Sequence, residues 1–188
     1  TITAGNTTGT SSFTPTDDSI YEGDETAIVA ISGVSGGSAS ESGSQSVTLT
    51  INENEDGPKV TLSASASSIT ENAGTSLTLT ATLSVATTGN VIVSLSTSGT
   101  GTEGTDYGTI SDITISEGDT TGTVSFTPTD DSSDPTYEGN ETAIVAISSV
   151  TGLATEDATQ SVTLTITENE SAPTVTLSAS ASSIVENA

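Results

Sequence analysis

The sequence predicts an all-β fold, built from tandem immunoglobulin-like antiparallel β-sandwiches with seven strands in each unit. Three observations support this prediction: apolar and polar residues alternate with a period of two, helical periodicity is absent, and long segments of the chain recur. The composition agrees, because two Phe, three Tyr and no Trp or Met leave Val, Ile, Leu and Ala to fill thin β-layers.

Seven short strands are predicted in the best-defined unit, separated by turns rich in Gly, Ser and Asp. In the second of these strands Leu77, Leu79, Ala81 and Leu83 share one face and Thr residues share the other, as expected for a strand with one buried face. The predicted strands are Lys59–Ser65, Thr75–Ser84, Asn90–Thr97, Thr109–Ile115, Thr120–Thr127, Glu141–Ser148 and Gln160–Thr167.

The recurring segments define a repeat of about 115 residues, since VTLSASASSI begins at Val60 and again at Val175. A period of this length is typical of bead-like domains in tandem rather than of a solenoid. The chain therefore divides into the C-terminal half of one unit at 1–57, a complete unit at 58–172 and the start of a third unit at 173–188. Because both ends fall within a unit, we expect the parent protein to be longer.

The chain is strongly acidic, with 25 acidic residues against the single basic residue Lys59 and a net charge of −24. Mutual repulsion of these charges weakens a compact state unless cations are bound. We expect no nucleic-acid partner, because nothing can neutralise phosphates, and no direct membrane insertion, because no apolar run approaches roughly 18 residues. Without His, Arg or Cys the chain lacks the usual base, oxyanion donor and nucleophile, so we expect no enzymatic activity.

The acidic residues of the complete unit are predicted to converge, because alternate loops of an antiparallel sandwich lie at the same end. By this rule ten of its fifteen acids share one end, and four fall at the other. Carboxylate oxygens from several loops, in a chain without His or Cys, favour Ca²⁺ over Zn²⁺ or copper. An Asx-type turn is the simpler alternative for the Asp pair at 130 and 131. The converging acids are Glu71, Glu103, Asp106, Asp130, Asp131, Asp134, Glu138, Glu141, Glu168 and Glu170.

Five segments in order, SITENAGT, GTEGTDY, ITISEGDTTGTVSFTPTDD, YEGNE and TITENE, resemble the Calx-β repeat. The resemblance implies a seven-stranded immunoglobulin-like sandwich whose calcium ligands come from these acidic segments. Two departures are the neutral Asn169 in the terminal cluster and three extra residues before Tyr137. By position, the implied ligands are Glu71, Asp106, Asp130, Asp131, Glu138, Glu141, Glu168 and Glu170 in the complete unit, and Asp17, Asp18, Glu22, Glu25, Glu53 and Glu55 in the first unit.

Together these features predict a calcium-stabilised stalk or filament segment of a large secreted or cell-surface bacterial adhesin or matrix protein. Its expected cofactor is Ca²⁺, its expected location is outside the cell, and its expected partners are the neighbouring repeats of the same chain. A first alternative is a self-assembling extracellular filament or sheath, in which edge strands of separate copies pair. A second alternative is a calcium-sensing regulatory module.

Overall fold

The computed structural model describes residues 1–130 and 137–186, which form eleven β-strands and no helix. None of the described residues forms a helix of the length and hydropathy that crossing a bilayer requires. The strands are β1 Glu25–Ala30, β2 Ser46–Ile51, β3 Lys59–Ala64, β4 Ser68–Thr70, β5 Leu77–Leu83, β6 Val91–Gly99, β7 Ile113–Ile115, β8 Thr121–Phe126, β9 Glu141–Thr151, β10 Thr155–Glu156 and β11 Ser161–Thr167.

Strands β3 to β11 form a two-layer sandwich, which confirms the predicted all-β fold. One sheet has the strand order β10-β3-β5-β8, and the other has the order β4-β11-β9-β6-β7. The strand pairs are antiparallel except at two edges, where β10 runs parallel to β3 and β4 runs parallel to β11. The inward residues of both sheets meet in one core, as the period-two pattern predicts.

The core also anchors the loop between β6 and β7. Tyr107, from this loop, is fully buried and stacks on Phe126 of β8, with 5.0 Å between ring centroids. The loop is closed by a hydrogen bond from the Gly104 N–H to the Tyr107 carbonyl oxygen (2.7 Å) and by one from the Thr129 N–H to the Asp106 carbonyl oxygen (2.9 Å). Asp106 is therefore held in place by its neighbour in the hydrophobic core.

The structure contains a strand at each of the seven predicted positions and two short strands that the sequence did not predict. The fourth predicted strand, Thr109–Ile115, is shorter than expected, since β7 begins at Ile113. The additional strands β4 and β10 have three and two residues, too few to show a period of two. Strand β4 matters for the site, because its pairing with the end of β11 places Glu71 beside Thr167, whose carbonyl oxygen accepts the Glu71 N–H at 3.2 Å.

The two partial units contain less regular secondary structure than the sandwich. In the first, β1 and β2 form an antiparallel hairpin. In the third, residues 173–186 form no strand, and Val175 is 98% exposed although the equivalent Val60 is 0% exposed. The same segment is thus a buried strand where β5 pairs with it and an exposed chain where the described residues offer no partner.

Candidate metal centre

Six of the predicted ligands meet at one end of the sandwich, in two groups of three. The Glu141 cluster consists of Asp106 from the β6–β7 loop, Glu138 from the turn before β9, and Glu141 at the start of β9. The Glu168 cluster consists of Glu71 after β4, and Glu168 and Glu170 after β11. Within each cluster one carboxylate oxygen from every residue lies within 4.8 Å of the others.

Glu141 lies at the centre of the first cluster. Burial is the largest cause that raises the pKa of its carboxyl to about 7, and the nearby charges of Asp106, Glu138 and Glu168 contribute to the same rise. Its Oε2 is buried and has no hydrogen-bond partner among the described residues. A buried carboxylate oxygen without a partner is costly to charge, so this position favours either a proton or a cation.

Glu168 connects the two clusters and also organises the backbone. Its Oε2 accepts the N–H groups of Glu138 and Gly139, both at 2.8 Å, and its Oε1 accepts those of Asn169 and Glu170, both at 3.0 Å. These bonds, led by the one from the Glu170 N–H, lower the pKa of Glu168 to about 2. Its charge in turn helps to raise the pKa of Glu141. Glu168 is therefore ionised at neutral pH and ties the tail after β11 to the turn before β9.

Glu71 is the most buried acid of the group, with 8% of its surface exposed. It reaches this position because β4 adds a short edge strand beside β11. The buried carboxylate of Glu71 lies close to the half-buried Glu168 and Glu170, so three acidic side chains meet there. Such a group is stabilised when an oxygen-coordinated cation joins it.

The first unit repeats this arrangement. Glu53 Oε2 accepts the N–H of Gly23 at 2.6 Å and that of Glu22 at 2.5 Å, as Glu168 does with Gly139 and Glu138. The pKa of Glu53 is lowered to about 2, first by its hydrogen bond with the Glu55 carboxyl, and the pKa of Glu22 is raised, first by the charge of Glu25. All six predicted acids of this unit line one pocket of about 40 Å³: Asp17, Asp18, Glu22, Glu25, Glu53 and Glu55.

Of the ten acids predicted to converge, two are described but belong to neither cluster, and two lie outside the described residues. Asp130 is described and exposed but belongs to neither cluster, and Asp131 and Asp134 lie outside the described residues. Glu103 is also predicted to lie at this end, and its carboxylate accepts hydrogen bonds from Thr97 Oγ1 at 2.8 Å and from the Ile110 N–H at 3.1 Å. Its carboxylate thus closes the β6–β7 loop.

Asn169 is a neutral residue within an acidic segment, and the structure gives its side chain a distinct place. Its side-chain Oδ1 is buried and lacks a hydrogen-bond partner among the described residues. An amide oxygen is a ligand type that Ca²⁺ accepts alongside carboxylates. Its position between Glu168 and Glu170 was the available signal. In the first unit the equivalent Asn54 donates its Nδ2 to Asp17 Oδ1 at 3.0 Å.

A scan against family models matches residues 53–170 to the Calx-beta domain. The chain belongs to the Calx-beta family. This family consists of non-enzymatic β-sandwich modules that are associated with calcium binding and occur in extracellular or membrane-associated regions. Comparison with curated proteins finds no match.

The oxygen ligands in this Calx-beta domain fit calcium well. Each cluster offers only carboxylates, and the Glu141 Oε2 and Asn169 Oδ1 atoms are buried without a hydrogen-bond partner in the described part of the chain. Calcium takes 6–8 oxygens at about 2.3–2.6 Å and tolerates ligands from separate loops. The residues present therefore suit a hard divalent cation held between the β6–β7 loop, the turn before β9 and the tail after β11.

Proposed function

We propose that this chain is a calcium-stabilised structural segment, a stalk, of a large secreted or cell-surface bacterial adhesin or matrix protein. The observation that supports the proposal is the pair of carboxylate clusters joined by Glu168, in a chain with a net charge of −24. The single basic residue, Lys59, lies too far away to neutralise them. Its Nζ donates to Thr155 Oγ1, and Thr155 follows the C-terminal end of β9, whereas Glu141 is at the N-terminal end of that strand. Positive charge for this end must come from solution.

Calcium would act by linking three segments that otherwise repel one another. Asp106 lies on the β6–β7 loop, Glu138 and Glu141 flank the start of β9, and Glu168 and Glu170 follow β11. A cation that binds only the folded arrangement stabilises it by RT ln(1 + [L]/Kd). Extracellular modules bind calcium with Kd on the order of 10⁻⁴–10⁻³ M, which suits millimolar calcium outside cells.

The stalk role rests on the tandem repeats and on the position of the acidic end. The acidic tail of the first unit, Glu53–Asp56, is followed after one residue by Pro58 and the first strand of the next sandwich. Calcium at this tail would stabilise both the unit and its junction with the next. The occurrence of Calx-beta domains in extracellular or membrane-associated regions supports the proposed location.

The edges of the sandwich favour the stalk over lateral assembly of copies into a filament or sheath. Three of its four edge strands, β4, β7 and β10, have only two or three residues. Very short edge strands are a common device against edge-to-edge pairing. Only β8, with six residues, offers a longer edge. Sedimentation in excess calcium distinguishes the two roles, because a stalk stays monomeric and a lateral filament grows.

Thermal melting and small-angle scattering test the proposal. We expect about 10 mM calcium to raise the melting temperature relative to chelator by several degrees and to narrow the distribution of molecular lengths. The same concentration of magnesium should do less, because Mg²⁺ is smaller and loses its water reluctantly. Equal melting temperatures and equal scattering profiles in calcium and in chelator would end the proposal.

A further inference from the structure

The turn that carries the first unit's YEG segment, Tyr21–Gly23, contacts the second unit directly. The Tyr21 N–H donates to the carbonyl oxygen of Ala86 at 2.9 Å, and Tyr21 forms a parallel β-bridge with Thr87. Ala86 and Thr87 belong to the turn between β5 and β6 of the complete unit. The contact therefore joins the acidic end of one repeat to the opposite end of the next by main-chain hydrogen bonding.

The β5–β6 turn, which accepts the Tyr21 N–H, is itself held by hydrogen bonds within the second unit. Thr87 is 1% exposed, its Oγ1 donates to the Gly89 carbonyl oxygen at 2.7 Å, and its own carbonyl oxygen accepts the Gly118 N–H at 3.0 Å. These bonds fix the β5–β6 turn against the β7–β8 turn of the same sandwich. A segment that pairs with this turn is therefore held in a fixed orientation relative to the second unit.

Side chains from both units surround the contact. Tyr21 lies in a cleft of about 700 Å³ that is also lined by Pro58, Val85 and Leu153 of the second unit and by Gly57 of the linker. The Tyr21 hydroxyl oxygen lies 4.0 Å from the point where a Cβ on Gly57 would stand. The ring is half-buried there, so it contributes apolar packing as well as the backbone bond.

The complete unit carries the same three residues, Tyr137–Gly139, in a different environment. Tyr137 is 43% exposed, and within the described residues its N–H makes no hydrogen bond to another repeat. The backbone of the turn is nevertheless held in the same way in both units, by Glu53 in the first and Glu168 in the second. The turn at 137–139 thus resembles the docked turn but has no described partner.

We propose that the YEG turn of each repeat is a docking surface for the β5–β6 turn of the following copy of the repeat, with the tyrosine as the contact residue. The surface at Tyr137 would then receive the turn equivalent to Val85–Thr87 of another copy in tandem. The partner is identified by the contact that the first and second units already make. The proposal rests on the stalk function proposed above, since such a joint serves a chain of repeats, but its geometry needs no cation.

The joint and the acidic site share one turn. Glu53 accepts the N–H groups of Glu22 and Gly23, the two residues after Tyr21, so the carboxylate that orders the acidic loops also positions the docking residue. We therefore expect Tyr21 to be docked in chelator and held more firmly in calcium. The docking of Tyr21 in chelator and the further protection that calcium gives can be measured separately.

Amide hydrogen exchange on the full chain tests the joint. In chelator, the Tyr21 amide should exchange about tenfold or more slowly than the Tyr137 amide, because only the former has a partner in the next repeat. In a chain with residues 58–172 present twice in tandem, the first Tyr137 amide should become protected to the same degree. Equal exchange of the two amides in the full chain, or an unprotected Tyr137 amide in the lengthened chain, would overturn the proposal.

Tyr21→Ser and Tyr137→Ser form a matched pair. Tyr21→Ser should broaden the distribution of lengths seen by small-angle scattering and expose the amide at position 21, whereas Tyr137→Ser should change neither. Both variants should melt like the parent, because neither ring belongs to the core of the complete unit. Identical scattering of the two variants would reject the joint. A protected Tyr21 amide with no response to calcium would refute the calcium proposal and leave the joint intact.

Discussion

Replacement of Glu141 by Gln removes a negative charge from a carboxyl whose surroundings oppose ionisation, while keeping the size of the side chain. Burial and three neighbouring acids raise the pKa of this carboxyl from 4.5 to about 7. At pH 8 without calcium the native protein must therefore hold a charge that its surroundings oppose. The Gln variant has no such charge, so it should be more stable than the parent in chelator.

The magnitude follows from the pKa difference. At 1.36 kcal/mol per pH unit, a rise from 4.5 to about 7 corresponds to no more than about 3 kcal/mol. Solvent screening at this partly exposed group reduces the expected gain to about 1–2 kcal/mol. For a repeat of this size, such a gain raises the melting temperature by roughly 4–10 °C.

Calcium should narrow or remove this difference in stability. With calcium at about ten times Kd, the parent gains about 1.4 kcal/mol. The Gln variant loses one charged ligand. Since ligand charge tunes the affinity of calcium sites, the stabilisation that calcium gives the variant should be half that of the parent or less. The assay is thermal melting at pH 8 in chelator and in about 10 mM calcium.

Glu117→Gln is the matched control, since Glu117 is an exposed acid at the turn between β7 and β8 and its removal changes the net charge equally. This control should melt close to the parent in both conditions. A Glu141→Gln variant that melts no higher than the parent in chelator, and that keeps the full calcium response, would refute the reasoning.

Three further predictions concern protons, the amide ligand and the backbone. Between pH 7 and pH 6 calcium affinity should fall by roughly fivefold, because Glu141, with its pKa raised to about 7, takes up a proton that calcium must displace. Calorimetry in buffers of different ionisation enthalpy should detect proton release, and a calcium affinity independent of pH would contradict the prediction. Asn169→Ala should weaken calcium binding several-fold while leaving the melting temperature in chelator nearly unchanged, since the Asn169 Oδ1 has no hydrogen-bond partner among the described residues. Asn54→Ala is the control in the first unit. A drop in the melting temperature of Asn169→Ala in chelator would instead indicate a structural role. Gly99→Ala should lower the free energy of unfolding by about 3 kcal/mol or more, because the new Cβ would stand 2.1 Å from the Thr142 carbonyl oxygen. Gly118→Ala, with open space around it and φ of +78°, should lower it by about 1 kcal/mol. Equal unfolding free energies for the two variants in a urea titration would argue against the close β6–β9 approach.

The sign of the pH dependence without calcium follows from the same groups. Glu141 has a raised pKa in the folded state, so it makes the protein less stable as the pH rises from 4.5 through about 7. Glu168 has a lowered pKa, so its hydrogen bonds stabilise the protein above pH 4.5 and are lost as the pH falls towards about 2. Stability in chelator should therefore be greatest in mildly acidic solution.

Much of the fold could be predicted because its signals are local. Alternation along Leu77–Leu83 indicates a strand with one buried face, and turn residues separate each such segment from the next. Strands β4 and β10 were not predicted, since two or three residues carry no period and both depend on pairing with distant partners at a sheet edge. Without β4, sequence reasoning could not show how Glu71 is buried beside Glu168.

The acidic end was predictable in outline from chain order alone. Antiparallel strands bring alternate loops to the same end, and residues from four separate segments do meet there. Which acids share a cluster depends on side-chain reach and on backbone hydrogen bonds. Glu103 closes its own loop, Glu168 holds the turn before β9, and Asn169 carries a buried amide oxygen. These roles depend on how the folded loops and strands place each side chain.

The sequence by itself determined the repeat, the period-two pattern and the excess of acids, because each is a property of residues read in order. Tertiary structure decided which side chains are buried, because burial depends on the strands that pair with each segment. VTLSASASSI is a buried strand at Val60 and an exposed chain at Val175, and ETAIVA has its valine 0% exposed at Val145 but 46% exposed at Val29. A β-strand is stabilised by hydrogen bonds and apolar contacts from neighbouring strands, so identical residues fold differently where those neighbours are present and where they are not.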